Sequence, residues 1–330
     1  MTTDVKKINS TFTDLIQKYK TALILTVKIL IAAGILIYLI FVSDYRSIIS
    51  GIQQADIFLL SIAFILSILN IYLQYYKWRI TCNTILGESK KSKILTSLFY
   101  GLSAGIITPL RVGEYFGRAI VFKDKSLLQV TGATLVDKFF PLMIVAFLGS
   151  CAGILFTHFY FETSVYITVS LFLVVFFLFY FFTLLMMNEK FWDSIIFSRL
   201  RTSGRFNTFL EKLKVFKRLD RKYLTKMMLI SFLFYCCFIF QYAILVMAFS
   251  HHNNFFNYLW AGNLIIFVKT IIPSISFGEL GIREGASVYF LSYMNETASV
   301  AFNASIFLFV INLLIPALVG LVLLLKRNDA

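Results

Sequence analysis

Charged residues make up only 15% of this 330-residue chain, and acidic ones are the scarcer kind, 17 against 31 lysines and arginines. A soluble domain carries about a quarter of its residues as charges. With 59% hydrophobic residues, the chain has more apolar surface than one water-bounded core can hide. A soluble fold is excluded, and the chain belongs in a membrane. Cysteine is limited to Cys82, Cys151, Cys236 and Cys237, all in or beside apolar segments and none in a C-x-x-C pair. They read as buried free thiols, not as a disulfide framework or metal ligands. Histidine is limited to three: His251 and His252 share a short polar loop and His158 falls in another, so no metal site is expected. No nucleotide-binding loop, zinc motif or nucleophile elbow occurs, so no cofactor is expected and the chain is not read as an enzyme. Any movement it drives runs downhill, on an ion gradient, or with a partner.

A span of about 20 apolar residues crosses roughly 30 Å of hydrocarbon. Six segments qualify: 21–42, 56–76, 128–157, 163–187, 227–250 and 298–325. The first follows a basic N-terminus (1–20), is too long for a signal-peptide core, and is expected to remain as a span. Of the 31 lysines and arginines, 24 fall on one side of these spans, Arg46 alone on the other, and six inside apolar segments. This positive-inside pattern puts both termini in the cytoplasm of a multi-pass cell-membrane protein. It also explains the net charge of +14, so nucleic acid is not an expected partner. The basic connector 188–226 carries Phe206, Leu210, Leu213 and Phe216 at helical spacing, which fits either a helix on the inner leaflet or a solvated loop.

Two further apolar regions, 94–122 and 258–294, are interrupted by one repeated pattern. The first copy is Pro109, Gly113-Glu114 and Arg118; the second, 165 residues on, is Pro273, Gly278-Glu279 and Arg283. Proline, glycine and charge are what a membrane helix normally excludes. The arm Ile94–Ile107 is about 21 Å long as a helix, too short to cross. Each region is therefore expected to be a re-entrant hairpin, shaped by Pro109 and Gly113 in one case and by Pro273, Gly278 and Gly281 in the other. Span–hairpin–span then occurs twice, in a first half (21–187) and a second half (227–330), with one hairpin entering from each side. The expected fold is all-α, about six full spans plus two re-entrant hairpins in an inverted-topology repeat.

Charges inside a membrane are costly and tend to mark function. The candidates for contact with a substrate are Arg111, Glu114, Arg118, Asp137 and Lys138 in the first half, and Lys269, Glu279, Arg283 and Glu284 in the second. Glu114 and Arg118 are four residues apart, as are Glu279 and Arg283, so each pair shares a helix face. Two readings stand side by side: each glutamate neutralises its arginine internally, or the groups line a wet cavity for a phosphate-bearing headgroup. Asp137 and Lys138 point about 100° apart on a helix and so need separate partners, Arg111 or Arg118 in the case of Asp137. Pro141 loosens the helix beside them.

Thr108-Pro109-Leu110-Arg111-Val112-Gly113-Glu114 with Arg118, Asp137-Lys138, and Pro273 followed by Gly278-Glu279-Leu280-Gly281-Ile282-Arg283-Glu284 resemble the motifs of the lysylphosphatidylglycerol synthase transmembrane, or flippase-like, family. Gly278-Glu279 departs from the two glycines common in that family, and Lys138 from its usual arginine. Some members carry an aminoacyl-transferase domain after the membrane part and flip the lipid they make. The resemblance therefore implies the membrane module without lysyl transfer. The expected function is a flippase-like protein that moves or binds a lipid with a polar, phosphate-containing headgroup, its partners being membrane lipids. The alternatives are an accessory subunit in glycolipid or envelope-lipid assembly, working with a separate lipid-modifying enzyme, and a membrane-embedded transferase using Glu114, Asp137 or Glu279 as a base.

Overall fold

A computed structural model describes residues 45–187, 220–272 and 280–328. The expected span 21–42, most of the connector (188–219), Pro273, Gly278 and Glu279 lie outside them. Among the described residues there are only helices and turns. A short amphipathic helix α1 (Tyr45–Gln54) leads into α2 (Ile57–Thr81), which Asp56 caps by accepting from the Phe58 and Leu59 N–H groups. A π-turn, Cys82–Leu86, prolongs α2 to the left-handed Gly87. Then come α3 (Lys91–Ile107), a tight turn at Pro109–Arg111, and α4 (Gly113–Ala119). Helix α5 (Leu127–Tyr160) starts at a Ser126–Gln129 capping box. Next are α6 (Val165–Met187), α7 (Arg221–Ser250), α8 (Phe255–Ile271), α9 (Ile282–Ser292) and α10 (Ala298–Phe309). A second π-turn, Val310–Leu314, carries the chain into α11 (Ile315–Asn328).

Five of these segments are long and apolar enough to cross a membrane: Ile57–Leu86, Leu127–Tyr160, Val165–Thr183, Arg221–Ser250 and Ala298–Lys326. The protein is a multi-pass membrane protein. Three sequence expectations need correction. Helix α2 continues past residue 76, so Lys77 is inside the span, 5% exposed, and not in the flanking loop. Helix α7 begins at Arg221, so the end of the expected connector is helical. His158 lies in the last turn of α5 and not in a loop. The four cysteines are free thiols.

In lipid the apolar effect does not drive helices together, so close packing and interhelical hydrogen bonds must. Both are present. Helices α2 and α7 run antiparallel: the Gln241 amide donates to the Ala63 carbonyl at 2.8 Å, and Thr81 and Tyr223 hydroxyls meet at 3.2 Å near the other end. Helix α3 runs antiparallel to α11, with Ser103 Oγ donating to the Ala317 carbonyl at 2.5 Å and Tyr100 Oη to Leu323 at 3.1 Å. Helix α8 runs antiparallel to α5, through Trp260 Nε1 to the Ala152 carbonyl at 3.1 Å and Asn263 Nδ2 to Leu148 at 3.2 Å. Gly149 lets Phe267 come close at this seam. The phenylalanine-rich α6 packs mainly on α5 and leaves most of its surface to lipid.

Helices α3 and α4 fold back on each other as a tight hairpin. Its open end is closed by Lys93, which bonds Glu88 at 2.7 Å and Asp124 at 2.8 Å. Helices α8 and α9 also pack together, and their open end is at the opposite end of the bundle, where Tyr258 and His252 both meet Glu296.

Candidate functional site

The turn between α3 and α4 sets the site. Gly113 and Gly117 have no side chain where the Ala104 and Tyr100 carbonyls press on them; a Cβ at either position would collide with backbone. The Gly113 N–H donates to Thr108 Oγ1 at 2.7 Å, which ties the turn across its base. Leu110 and Arg111 both adopt left-handed backbone, φ 56° and 54°. Each such non-glycine residue costs on the order of 1–3 kcal/mol and persists only where its surroundings hold it. Here the strain turns Arg111 back toward Glu114, their Nη2 and Oε2 being 3.2 Å apart.

Glu114 is the hub of a charged cluster. Arg118 donates through Nη2 to its Oε1 at 2.7 Å, and Lys138 donates to its Oε2. Through Nη1, Arg118 also donates to Asp137 Oδ2 at 2.9 Å, one of the two partners the sequence suggested for that aspartate. The guanidinium stacks 4.3 Å from the Trp78 ring, a cation–π contact that helps hold it in apolar surroundings. Pro141 has no N–H to return to the carbonyl four residues back. That carbonyl belongs to Asp137, and Lys77 takes the place of the missing donor at 2.8 Å, with its Nζ also 3.4 Å from Asp137 Oδ1. Among the described residues, the four cations Lys77, Arg111, Arg118 and Lys138 thus surround two carboxylates. Arg118, Glu114 and Asp137 side chains are no more than 3% exposed, while Arg111 and Lys138 are 20% and 31% exposed.

These groups line a cavity of about 260 Å³. The second half closes it: Tyr235 and Phe238 of α7, and Lys269 and Thr270 of α8, form the facing wall. Lys269 lies 5.6 Å from the Phe238 ring centre. Six of the nine charged candidates, Arg111, Glu114, Arg118, Asp137, Lys138 and Lys269, therefore meet at one cavity. Glu279 lies outside the described residues.

Arg283 and Glu284 are elsewhere, and they pair with each other. Arg283 donates through Nη2 to Glu284 Oε1 and through Nε to Ser305 Oγ at 3.0 Å. Ser305 in turn donates to Glu284 Oε1 at 3.1 Å. Glu284 Oε2 accepts the Gly281 N–H at 2.7 Å at the start of α9, where Gly281 has φ 93°, a conformation glycine adopts freely. Both charged side chains are at most 3% exposed. Among the described residues no group of three or more histidines, cysteines and carboxylates is placed to hold a metal.

A family model described as the lysylphosphatidylglycerol synthase TM region matches residues 25–320. The chain belongs to this family. The match spans the cavity, both hairpins and nearly all of the last span, so it covers the whole arrangement described above. No protein of curated function matches the chain. Membership in the lysylphosphatidylglycerol synthase transmembrane-region family indicates a lipid-related role for the membrane part.

Lys77 and Gln74, both on the cavity wall, were not singled out from the sequence. Lys77 follows a long apolar run and looks like an ordinary positive-inside flank. The signal against that reading is faint: Ile80, Cys82, Ile85 and Leu86 continue a helical apolar spacing among Thr81, Asn83 and Thr84.

Proposed function

We propose that this protein is a flippase-like lipid transporter that takes an anionic, phosphate-containing headgroup into the cavity beside Glu114. The observation that carries the reading is a cavity within the spanning helices at which, among the described residues, the cations Lys77, Arg111, Arg118, Lys138 and Lys269 outnumber the carboxylates Glu114 and Asp137. A phosphate oxygen accepts strong, charge-assisted hydrogen bonds from such side chains. Arginine presents a planar two-pronged donor that suits phosphate oxygens, and Arg111 and Lys138 are the two cluster cations with the most exposed side chains. The cavity is smaller than the roughly 300–1,000 Å³ of pockets that enclose whole drug-sized ligands. It suits a headgroup whose acyl chains stay in the bilayer.

In this reading α3–α4 and α8–α9 are re-entrant hairpins of an inverted-topology repeat in the cell membrane, with cytoplasmic termini. Two observations support it. The hairpins open at opposite ends of the bundle, and the first arm of each packs antiparallel to the span that follows the other hairpin, α3 on α11 and α8 on α5. The 24-to-1 charge split supports the orientation.

The test uses full-length protein in vesicles containing a fluorescent phosphatidylglycerol analogue. Wild type should speed loss of inner-leaflet protection from a quencher added outside. Arg111→Ala combined with Lys138→Ala should abolish that gain and the retention of the analogue by detergent-solubilised protein. Inorganic phosphate is the second arm: strong phosphate binding with no retention of the lipid would make the site one for free phosphate. Lipid movement at the wild-type rate in the double variant would put the substrate site elsewhere.

A further inference from the structure

A line of buried, uncharged polar groups runs on from the cavity wall. Gln74, on that wall, donates through Nε2 to Asn70 Oδ1 at 2.9 Å. Further along the α2–α7 seam, Gln241 binds the Ala63 carbonyl and accepts from Asn312 Nδ2 at 2.6 Å. Asn70, Gln241 and Asn312 are 1%, 0% and 6% exposed. From Gln74 to Ala63 the line rises about 16 Å along α2, roughly half the hydrocarbon thickness.

Its far end approaches the second charged pair. Asn312 stands two turns beyond Ser305, which binds both Arg283 and Glu284. Tyr242, next to Gln241, shares a 2.6 Å hydrogen bond with Ser287, one turn past Arg283. The carboxamides thus lie between the two charged clusters.

Three groups along this line lack an oxygen or nitrogen partner among the described residues: Asn70 Nδ2, Ser231 Oγ and Asn312 Oδ1. The Asn70 amide lies beside the Cys237 thiol. Ser231, fully buried on α7, lies level with the Asn70–Gln74 turn in the antiparallel register. A buried donor and acceptor left open in one seam is unfavourable, so glue between helices is a poor account of them. The last span also departs from regular helix at this level. Asn312 lies in the π-turn Val310–Leu314, a feature that often accompanies functional sites. Four residues on, Pro316 has no N–H for the Asn312 carbonyl.

We propose that this seam is a hydrogen-bonding track along which the hydroxyl groups and bound water of a lipid headgroup pass between the cavity at Glu114 and the pair at Arg283. The proposal rests on the lipid-moving reading above. Neutral amides suit transit: they exchange hydrogen bonds with hydroxyls yet bind too weakly to trap an anion, and a conducting path must release what it takes in.

The test separates movement from binding. Asn312→Leu and Gln241→Met, near-isosteric and apolar, are made singly in the full chain and reconstituted with the fluorescent phosphatidylglycerol analogue. The flux should fall about tenfold, as loss of one hydrogen bond at the barrier implies, while retention of the analogue in detergent stays at the wild-type value and the melting temperature falls only by the loss of one interhelical hydrogen bond. Unchanged flux overturns the track. A parallel fall in flux, retention and melting temperature also overturns it, because that is the signature of helix glue. A second measurement places a cysteine at Asn70 or Asn312 in a background without the four native cysteines. Labelling by a small water-soluble thiol reagent supports a hydrated track, and complete protection of both positions overturns it. If wild type moves no lipid at all, the transport reading fails, and the labelling still decides whether the seam is wet.

Discussion

The two halves hold their intramembrane charges in opposite ways. Around Glu114, among the described residues, four cations meet two carboxylates, and Arg111 and Lys138 open toward a cavity. At Arg283, among the described residues, one guanidinium meets one carboxylate and a serine hydroxyl, all buried. The first arrangement presents two partly exposed cations to a cavity. The second satisfies itself and pins α9 to α10. The motifs look alike in sequence, yet the surroundings divide the work: one half offers a site, and the other supplies its far wall through Tyr235, Phe238 and Lys269.

The comparison breaks first, and hardest, at the carboxylates. Glu114→Gln leaves Arg111, Arg118 and Lys138 around a neutral amide. Removing one partner of a buried ion pair costs about 3–5 kcal/mol, and a carboxylate that meets three cations puts this variant at the upper end. Glu284→Gln strands Arg283 alone, and the amide oxygen still accepts from Arg283 and Ser305, so its loss should be near the lower end. Thermal unfolding of the solubilised protein gives both values. A Glu114→Gln variant as stable as wild type would mean that the cations are fully hydrated and that the two halves do not differ in kind.

The hairpins differ in their tolerance for a methyl group. Gly113 faces the Ala104 carbonyl, so Gly113→Ala must push α3 and α4 apart. Overpacking of this sort costs about 1–3 kcal/mol. Gly285, within α9, has open space where its Cβ would stand, so Gly285→Ala should stabilise by about 0.5–1 kcal/mol through the helix preference of alanine. Opposite signs in the two melting curves are the expected outcome. Equal losses would show that both hairpins are packed to the same tightness.

Lys77→Met tests how far the cluster's positive charge serves the cavity. The substitution removes one of the four cations described around Glu114 and Asp137 and leaves Asp137 bound to Arg118. It also leaves the Asp137 carbonyl without its donor, a loss of about 1 kcal/mol. Retention of the phosphatidylglycerol analogue should weaken by about tenfold, on the scale of one charge-assisted hydrogen bond. Unaltered retention would assign Lys77 to structure alone.

Much of the site was legible because charge inside an apolar run stands out. Arg111, Glu114, Arg118, Asp137 and Lys138 were found that way, as was the turn at Pro109–Gly113. The separate partners of Asp137 and Lys138 followed from the angle between adjacent helix positions. The pairing of Arg283 with Glu284 did not follow, since the same rule argues against it. At the start of α9, however, Glu284 reaches back to the Gly281 N–H, and that brings its other oxygen to Arg283. Lys77 was hidden because a lysine after an apolar run looks like a membrane flank. The carboxamides Asn70, Gln241 and Asn312 were hidden because a single neutral amide barely interrupts hydropathy, and their alignment exists only after α2, α7 and the last span come together.

The smallest difference lies at the open ends of the hairpins. Helices α3 and α4 are latched by Lys93 to Glu88 and Asp124 in a solvent-accessible place, whereas the second hairpin is latched through the buried carboxylate of Glu296. Hydrogen bonds from Lys93 hold the Glu88 and Asp124 carboxyls below their usual range. Their depressed folded values mean that the latch is whole above the ordinary carboxylate range and is lost as pH falls through those values. Exposed pairs contribute little and are screened by salt. Lys93→Ala should therefore lower the melting temperature only slightly at neutral pH and low salt. The difference from wild type should shrink in high salt, and shrink again as acid protonates both carboxyls. Tyr258→Phe at the second latch removes a hydrogen bond to a buried carboxylate, so its effect should be larger and should persist in high salt. A salt-insensitive loss in Lys93→Ala would show that the first latch is as sheltered as the second.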